Sequence, residues 1–185
     1  MIILGSSSPR RQELLRLIVP EFQIEPAQID ERALPILPAP AYVASLAAAK
    51  GAELAERFPA ATIITADTMV SFDQQLLGKP RDRQDAFATL QMLSGKVHQV
   101  YTGVQIQRPG HAPKQTVVAT QVQFWPLSAS EINAYLDTGE YCDKAGSYGI
   151  QGYGARLVER IDGDFYNVVG LPVSTVARML NETQK

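Results

Sequence analysis

Apolar positions change their spacing from one segment of the chain to the next, and these changes predict alternating strands and helices. A short apolar run at 2–5 predicts a buried strand, and residues 9–18 continue with the spacing of an amphipathic helix. Residues 40–58 predict a longer helix with its apolar positions on one face. The run at 61–72 is apolar and β-branched, which favours a central strand.

The middle of the chain carries the alternation typical of long strands. Residues 97–106 and 116–125 alternate between apolar and polar positions, and the intervening 108–115 contains the prolines and glycine of a long hairpin loop. His98 falls among the apolar positions of the first of these strands. We therefore interpret it as a core histidine and not as a ligand.

Capping and glycine signals predict the remaining elements. Asp82 opens a helix that ends at Leu93 before Gly95, and a capping box at 128–131 opens another that ends at Gly139. The other predictions are a loop or edge strand at 20–40, a tight loop at 143–154, a strand at 155–161 and a final helix at 172–182. Helices and strands alternate with hairpins between them, so the sequence predicts an α/β fold with a mixed sheet.

Length and composition narrow the possible classes of function. A chain of 185 residues has the size of one domain, and we expect a single domain over 1–185 with two lobes and a cleft between them. The net charge of −2 does not predict a nucleic-acid polymer as partner, and no apolar run reaches membrane-spanning length. The single Cys142 cannot form an internal disulfide, and residues 2–4 are too short for a signal-peptide core. We expect a cytoplasmic protein that binds neither nucleic acid nor membrane.

The most informative segment, 5–11, joins the first strand to the first helix. Ser8 is placed to cap the helix and Pro9 to be its first residue. The N–H groups of a first helical turn favour an anion, and the guanidinium groups of Arg10 and Arg11 bind phosphate oxygens in pairs. The segment predicts a phosphate site; the alternative is an ordinary helix start with solvated arginines.

Three charged residues are further candidates. Asp67 follows a run that should be buried, where a carboxylate is costly unless it is paired or binds a metal. It is a candidate metal ligand or general base, or else a salt-bridged structural residue. Lys50, on the apolar face of its helix, either reaches into a cleft or extends to the surface rim. Lys79 lies in a turn after the Asp67 strand, where exposure to solvent is the alternative.

Gln151 is the candidate for reading a base. Glycines on both sides let the backbone approach a ligand, and an amide offers a donor beside an acceptor, as does the imide edge of uracil or thymine. A flipped amide would match cytosine, and the alternative is a surface glutamine. Asn167 is either a helix cap or a ligand contact. This combination suits a nucleoside triphosphate with a divalent metal better than a protein partner.

The motifs, in their order, resemble the Maf-like nucleotide pyrophosphatases. The matching stretches are Ser6-x-Ser8-Pro9-Arg10-Arg11, Ala66-Asp67-Thr68, Gly78-Lys79-Pro80, Leu93-Ser94-Gly95-x-x-His98-x-Val100-x-Thr102, Asp143-Lys144-Ala145-Gly146-x-Tyr148-x-Ile150-Gln151-Gly152 and Asn167-Val168-Val169-Gly170-Leu171-Pro172. The resemblance implies an elongated α/β fold of the inosine-triphosphatase-like (Maf/Ham1-like) kind, with a mixed sheet flanked by helices. It also implies homodimers and hydrolysis of a nucleoside triphosphate to the monophosphate and pyrophosphate.

The resemblance also implies roles for individual residues. The Ile-Gln-Gly ending at Gly152 is similar to the dTTP/UTP-type branch, and the 7-methyl-GTP-type branch lacks it. Asp67 matches the catalytic acidic residue, and Mg²⁺ or Mn²⁺ would be held by Asp67 and by Glu31 of the pair Asp30-Glu31. The substrate-contacting positions are Ser6, Arg10, Arg11, Lys50, Thr68, Lys79 and Gln151, of which Arg10, Thr68 and Gln151 fall where the family places base specificity.

Two positions near Lys50 depart from the family pattern. Ser45 stands where the family often has arginine, and Gly51 stands where it often has alanine. Two other functions remain as alternatives. One is a nucleotide-binding regulator of cell division (septum formation) with little turnover, and the other is a 7-methyl-GTP pyrophosphatase.

Overall fold

The computed structural model describes residues 1–182, and its centre is a mixed seven-stranded sheet with helices packed on both faces. The strands are β1 (Ile2–Leu4), β2 (Gln23–Ile24), β3 (Thr62–Phe72), β4 (Gln75–Leu77), β5 (Val97–Gln107), β6 (Lys114–Phe124) and β7 (Val158–Asp162). The helices are α1 (Pro9–Arg16), α2 (Ala39–Arg57), α3 (Arg83–Leu93), α4 (Ala129–Leu136), α5 (Phe165–Val169) and α6 (Val173–Asn181). Residues 183–185 of the predicted domain lie outside the described residues.

The strand order is β2-β1-β3-β5-β6-β7, with β4 paired to β3 as well. The β1–β2 and β1–β3 pairs are parallel, and the other pairs are antiparallel. The predicted α/β fold with a mixed sheet is therefore confirmed. Within residues 1–182, no helix combines the length and the apolar character needed to cross a bilayer.

Local signals in the sequence set the starts of these helices correctly. The Ser8 side chain accepts a hydrogen bond from the Arg11 backbone, and Pro9 is the first residue of α1. Asp82 caps α3, and the predicted capping box at Ser128 opens α4. The α2 helix also buries the apolar face that its spacing predicts, against the sheet.

Two short strands, β1 and β4, leave a gap between them along one edge of β3. The other edge pairs with β5 continuously from Ile63 to Ser71. On the gapped edge, β1 pairs with β3 only as far as Ile64, and β4 begins its pairing at Val70. The middle of β3, which contains Asp67, is therefore open to a ligand between β1 and β4.

The structure corrects several local predictions. The first helix ends at Arg16, two residues before its predicted end. The predicted strand at 155–161 is wrong in its first half, because Gly152–Leu157 form a 3₁₀ helix and β7 begins only at Val158. Two short elements, β4 and α5, were not predicted. Elements of three and five residues contain too few positions to establish a period.

Candidate active site

One cleft, with a volume of about 1170 Å³, opens at the gap in the edge of β3. Its walls come from the β1–α1 turn, α2, the middle of β3 and the loop at 143–152. All the site residues predicted from the sequence line this cleft: Ser6, Arg10, Arg11, Glu31, Lys50, Asp67, Thr68, Lys79 and Gln151. The chain therefore brings together groups separated by up to 145 positions (from 6 to 151) in the sequence.

The centre of the cleft is a charged trio around Lys50. Its Nζ lies 2.6 Å from Oδ1 of Asp67 and 2.7 Å from Oε1 of Glu31. Both Lys50 and Asp67 have side chains only 12% exposed, whereas Glu31 is half exposed. The Lys50 side chain therefore reaches the cleft, and Asp67 is an ion-paired carboxylate at a ligand-accessible strand. The other Asp67 oxygen, Oδ2, makes no hydrogen bond within residues 1–182.

Small residues let α2 approach the sheet closely enough to make this ion pair. Gly103 lies opposite Asp67 on β5, and a Cβ there would overlap the Val43 carbonyl of α2. Gly51 leaves space for the Gln105 amide, which a Cβ would overlap. The departure from the family pattern at Gly51 thus accommodates Gln105, and it leaves Lys50 paired with Asp67.

The β1–α1 turn supplies a site that favours anions beside the trio. Oγ of Ser6 accepts hydrogen bonds from the Ser8 backbone at 3.2 Å and from Arg11 Nη1 at 3.3 Å. A hydroxyl has two acceptor positions and one proton, so the Ser6 proton remains available to a ligand. The first turn of α1, directly after this hydroxyl, has the partial positive charge of a helix N-terminus.

Arg11 is braced more firmly than its sequence position suggests. Its Nε donates to the Gly170 carbonyl at 2.8 Å, and Nη2 donates to Oγ1 of Thr68 at 3.0 Å. With the contact to Ser6, three of its five N–H groups are used within the protein, and two remain for a ligand. Burial lowers the pKa of the Arg11 guanidinium from its usual value, and the nearby Asp67 carboxylate opposes that shift.

Thr68 joins Arg11 to the interior of the sheet. The Thr102 hydroxyl donates to the Asn167 carbonyl at 3.0 Å, so Thr68, 2.9 Å away, is the donor to Thr102. Asn167 is fully buried, and its amide donates to the Val100 carbonyl at 3.0 Å. Asn167 is therefore neither a helix cap nor a surface ligand contact, because its side chain points into the core.

The loop at 143–152 forms the far wall of the cleft, and it contributes two charged residues, Asp143 and Lys144, that no local pattern assigned to the site. Arg10 Nη1 lies 3.5 Å from Oδ2 of Asp143, which also pairs with Lys144 at 2.8 Å. This pair connects α1 to the loop across the cleft. Opposite charges at 10 and 143 were visible in the sequence, but nothing local indicates that they meet. Gln151 is exposed at the cleft, and its side chain makes no capping bond to the helix that follows.

Lys79 lies exposed at the rim of the cleft, in the turn after β4. This turn is joined to the loop at 143–152, since the Gly146 backbone donates to the Gly78 carbonyl at 3.1 Å. Gly146 has φ of +69°, and a Cβ there would lie 2.9 Å from Val70. Only glycine fits that conformation and that contact, so the loop is held against β3 and the Lys79 turn.

The burial of His98 predicts how the free energy of unfolding depends on pH. His98 is buried, as expected for a core histidine, and burial lowers its pKa from 6.5 to about 4. Above about pH 6.5 its contribution to stability is fully present, and it is lost as the pH falls towards 4. The loss is about 3 kcal/mol in total, since one pKa unit corresponds to about 1.4 kcal/mol. This loss is measured by urea unfolding of wild type and His98→Gln between about pH 7 and pH 4.5. If the unfolding free energy of both proteins had the same pH dependence, His98 would not be the group responsible.

The sequence comparisons place these motifs in a family. A sequence profile described as Maf-like protein matches residues 1–183. The dTTP/UTP pyrophosphatase of Lacticaseibacillus casei is 58% identical over 97% of this chain and 97% of the relative. The protein of the same name from Latilactobacillus sakei is 57% identical over 97% and 99%, and that from Bacillus velezensis is 50% identical over 98% and 95%.

Solved structures support the fold at much lower sequence identity. The Staphylococcus aureus Ham1 protein aligns with a TM-score of 0.59 at 10% identity, over 99% of both chains. A nucleoside-triphosphatase (dITP/XTP pyrophosphatase) from Mycobacterium abscessus aligns with a TM-score of 0.53 at 12% identity, over 100% of this chain and 98% of that one. The inosine-triphosphatase-like (Ham1-like) architecture expected from the sequence is confirmed. With a full-length profile match and relatives at 50–58% identity, the chain belongs to the Maf-like protein family.

Proposed function

We propose that the protein hydrolyses nucleoside triphosphates to the monophosphate and pyrophosphate, with dTTP and UTP as favoured substrates. The observation that carries the proposal is the Asp67–Lys50 pair at 2.6 Å, in a cleft that also contains Arg10 and Arg11. Phosphoryl transfer needs positioned cations around the phosphates and a group that orients or deprotonates water. The names of the relatives at 50–58% identity, dTTP/UTP pyrophosphatase, support the same reaction.

Phosphate binding is proposed for one wall of the cleft. The α1 N-terminus, the two remaining N–H groups of Arg11 and the Ser6 hydroxyl can all donate to phosphate oxygens. Arg10, Lys50 and the rim residue Lys79 add positive charge. Fixed donors of this kind stabilise charge as it builds on the phosphates, without any reorganisation of water.

The chemistry of the carboxylates fits a divalent cation. Asp67 and Glu31 carry two negative charges and Lys50 neutralises one of them, so the trio retains net negative charge. Within residues 1–182 no cluster of three His, Cys, Asp or Glu side chains could hold a metal alone. Mg²⁺ commonly binds one or two carboxylates together with substrate phosphates. We propose that Asp67 and Glu31 are the protein ligands for Mg²⁺ or Mn²⁺, which neutralises charge on the phosphate oxygens when bound.

Asp67 has a second proposed role in the reaction itself. Water attacks the α-phosphorus, the bond from that phosphorus to the bridging oxygen breaks, and pyrophosphate leaves. Lys50 holds Oδ1 of Asp67, and the unbonded Oδ2 accepts the proton of the attacking water. Lys50 thereby orients the carboxylate towards the cleft.

Gln151 is proposed to select the base. Its exposed amide matches the imide edge of thymine or uracil. Replacing it with alanine should lower kcat/KM for dTTP and UTP by about ten- to a hundredfold, because an imide left without its partner costs about 1–3 kcal/mol. Turnover of poor substrates should change little, since the phosphates are bound elsewhere. If kcat/KM fell equally for dTTP, UTP, CTP and GTP, Gln151 would not select the base.

A nucleotide panel tests the proposed function. Pyrophosphate release from dTTP, UTP, CTP, GTP and 7-methyl-GTP is measured with Mg²⁺ and with Mn²⁺. We expect dTTP and UTP to give the highest kcat/KM and chelation of the metal to stop turnover. A preference for 7-methyl-GTP would favour the corresponding alternative enzyme, and binding without turnover would favour the nucleotide-dependent regulator.

We also propose that the protein acts as a homodimer in the cytoplasm and that its single domain has two lobes around the cleft. The family resemblance supports the homodimer, and the single cysteine suits a reducing compartment. Two large groups of buried apolar side chains, around Leu15 and around Leu90, support two lobes. Sedimentation at micromolar concentration tests the assembly, and a monomer there would contradict it.

A further inference from the structure

We propose that Tyr148, held by His98, is the positioning residue that sets where Gln151 stands in the cleft. The inference rests on the proposed function, because it assigns how that function discriminates between bases. Tyr148 lies three residues before Gln151 in the cleft loop, and nothing in the reaction uses its hydroxyl or the His98 ring.

The first observation is a buried hydrogen bond between the loop and the sheet. Oη of Tyr148 lies 2.7 Å from Nε2 of His98, and the residues are 5% and 1% exposed. His98 belongs to β5, where it pairs with Val122 of β6 and follows directly on the β3 pairing that ends at Gln99, so its position is fixed within the sheet. Burial keeps this bond free of competition from water, and each partner pays a desolvation cost when the other is removed.

Packing among three aromatic rings fixes the orientation of the Tyr148 ring as well as its distance from His98. The rings of His98, Phe124 and Tyr148 pack edge to face, with centroids 4.7–5.3 Å apart. The Tyr148 ring therefore cannot move without losing ring contacts and the hydrogen bond together.

The short backbone segment between Tyr148 and Gln151 is also held in place, so the position of Tyr148 determines that of Gln151. The Gly149 backbone donates to the Tyr135 hydroxyl at 3.2 Å. Ile150 is buried in the group of apolar side chains around Leu15. A Cβ at Gly154 would overlap the Gly149 carbonyl, so the chain turns back tightly after Gln151. Tyr148 and Ile150 point inwards, and Gln151 is the exposed residue that follows them. A shift of Tyr148 must therefore displace the Gln151 amide, while the phosphate-binding wall stays in place.

The test is a double-mutant cycle read as base selectivity, the ratio of kcat/KM for dTTP to that for CTP. Tyr148→Phe, which removes only the hydroxyl, should lower this ratio by about tenfold, mainly through KM for dTTP. In a Gln151→Ala background the same change should leave the ratio unaltered, because the positioned group is gone. Tyr153→Phe is the matched control, since that residue is 59% exposed and lies outside the cleft lining.

A second variant guards against misfolding. His98→Leu combined with Tyr148→Phe makes both partners apolar, which avoids an unpaired buried group, and should show the same loss of selectivity in a folded protein. Three results would overturn this inference without touching the proposed function. The first is an unchanged dTTP-to-CTP selectivity ratio in an active Tyr148→Phe protein, and the second is an equal loss of kcat/KM on all nucleotides. The third is a double variant with Gln151→Ala whose loss of selectivity is the product of the two single losses. A wild type that releases no pyrophosphate from any nucleotide would overturn the proposed function and this inference with it.

Discussion

Asp67→Asn should lower pyrophosphate release from dTTP by about a thousandfold or more, because an amide cannot accept the proton of the attacking water. The shape of the side chain is nearly unchanged, and the oxygen of the new amide can still accept a hydrogen bond from Lys50, so the fold should persist. The measurement is kcat for pyrophosphate release, with the melting temperature as a check of folding.

The same variant separates the two roles proposed for Asp67. If the lost proton acceptor is the main defect, raising Mg²⁺ or Mn²⁺ should not restore the rate. Recovery at high metal concentration would instead make Asp67 mainly a metal ligand. Asp137→Asn is the control, because Asp137 is exposed and pairs with Arg83 outside the cleft. Near-wild-type turnover by folded Asp67→Asn would remove the catalytic assignment.

Lys50→Met should lower kcat/KM by about a hundredfold, the usual effect of removing one positioned donor near developing charge. Methionine keeps the apolar stem, so packing of α2 should survive. Without the ammonium group, Asp67 and Glu31 both lose the cation that lies 2.6 and 2.7 Å from them.

Lys114→Met is the matched control for this prediction. Lys114 starts β6 and pairs with Glu182 at 3.6 Å on the surface, away from the cleft. Loss of an exposed pair of this kind changes stability by at most about 1 kcal/mol. Lys50→Arg should recover part of the activity, since it restores the charge. Equal activity of Lys50→Met and Lys114→Met would place Lys50 outside the reaction.

Features with local causes could be predicted from the sequence. The start of α1 follows from Ser8 and Pro9 alone, and the β5 face follows from period-2 alternation around His98. The family resemblance selected the residues that line the cleft, from Ser6 to Gln151, because motifs preserve order along the chain. Each of these predictions needs only neighbouring residues or a known pattern.

Features that depend on distant partners could not be predicted. The Arg11 side chain donates to Gly170, which is 159 positions away, and no local pattern indicates that brace. Asn167 is buried because two strands present acceptors to its amide, although its sequence neighbours suggested a cap. The gap in the edge of β3 arises from the lengths of β1 and β4, and β4 is too short to show a period.

Hydrolysis at the α-phosphorus of dTTP can be tested directly by following the oxygen of water into the products. The reaction is run in ¹⁸O-labelled water with Mg²⁺, and the products are identified by ³¹P NMR and mass spectrometry. We expect dTMP carrying the ¹⁸O label and unlabelled pyrophosphate in equal amounts. Orthophosphate with dTDP, or label in the pyrophosphate, would contradict it, because water would then have attacked a different phosphorus.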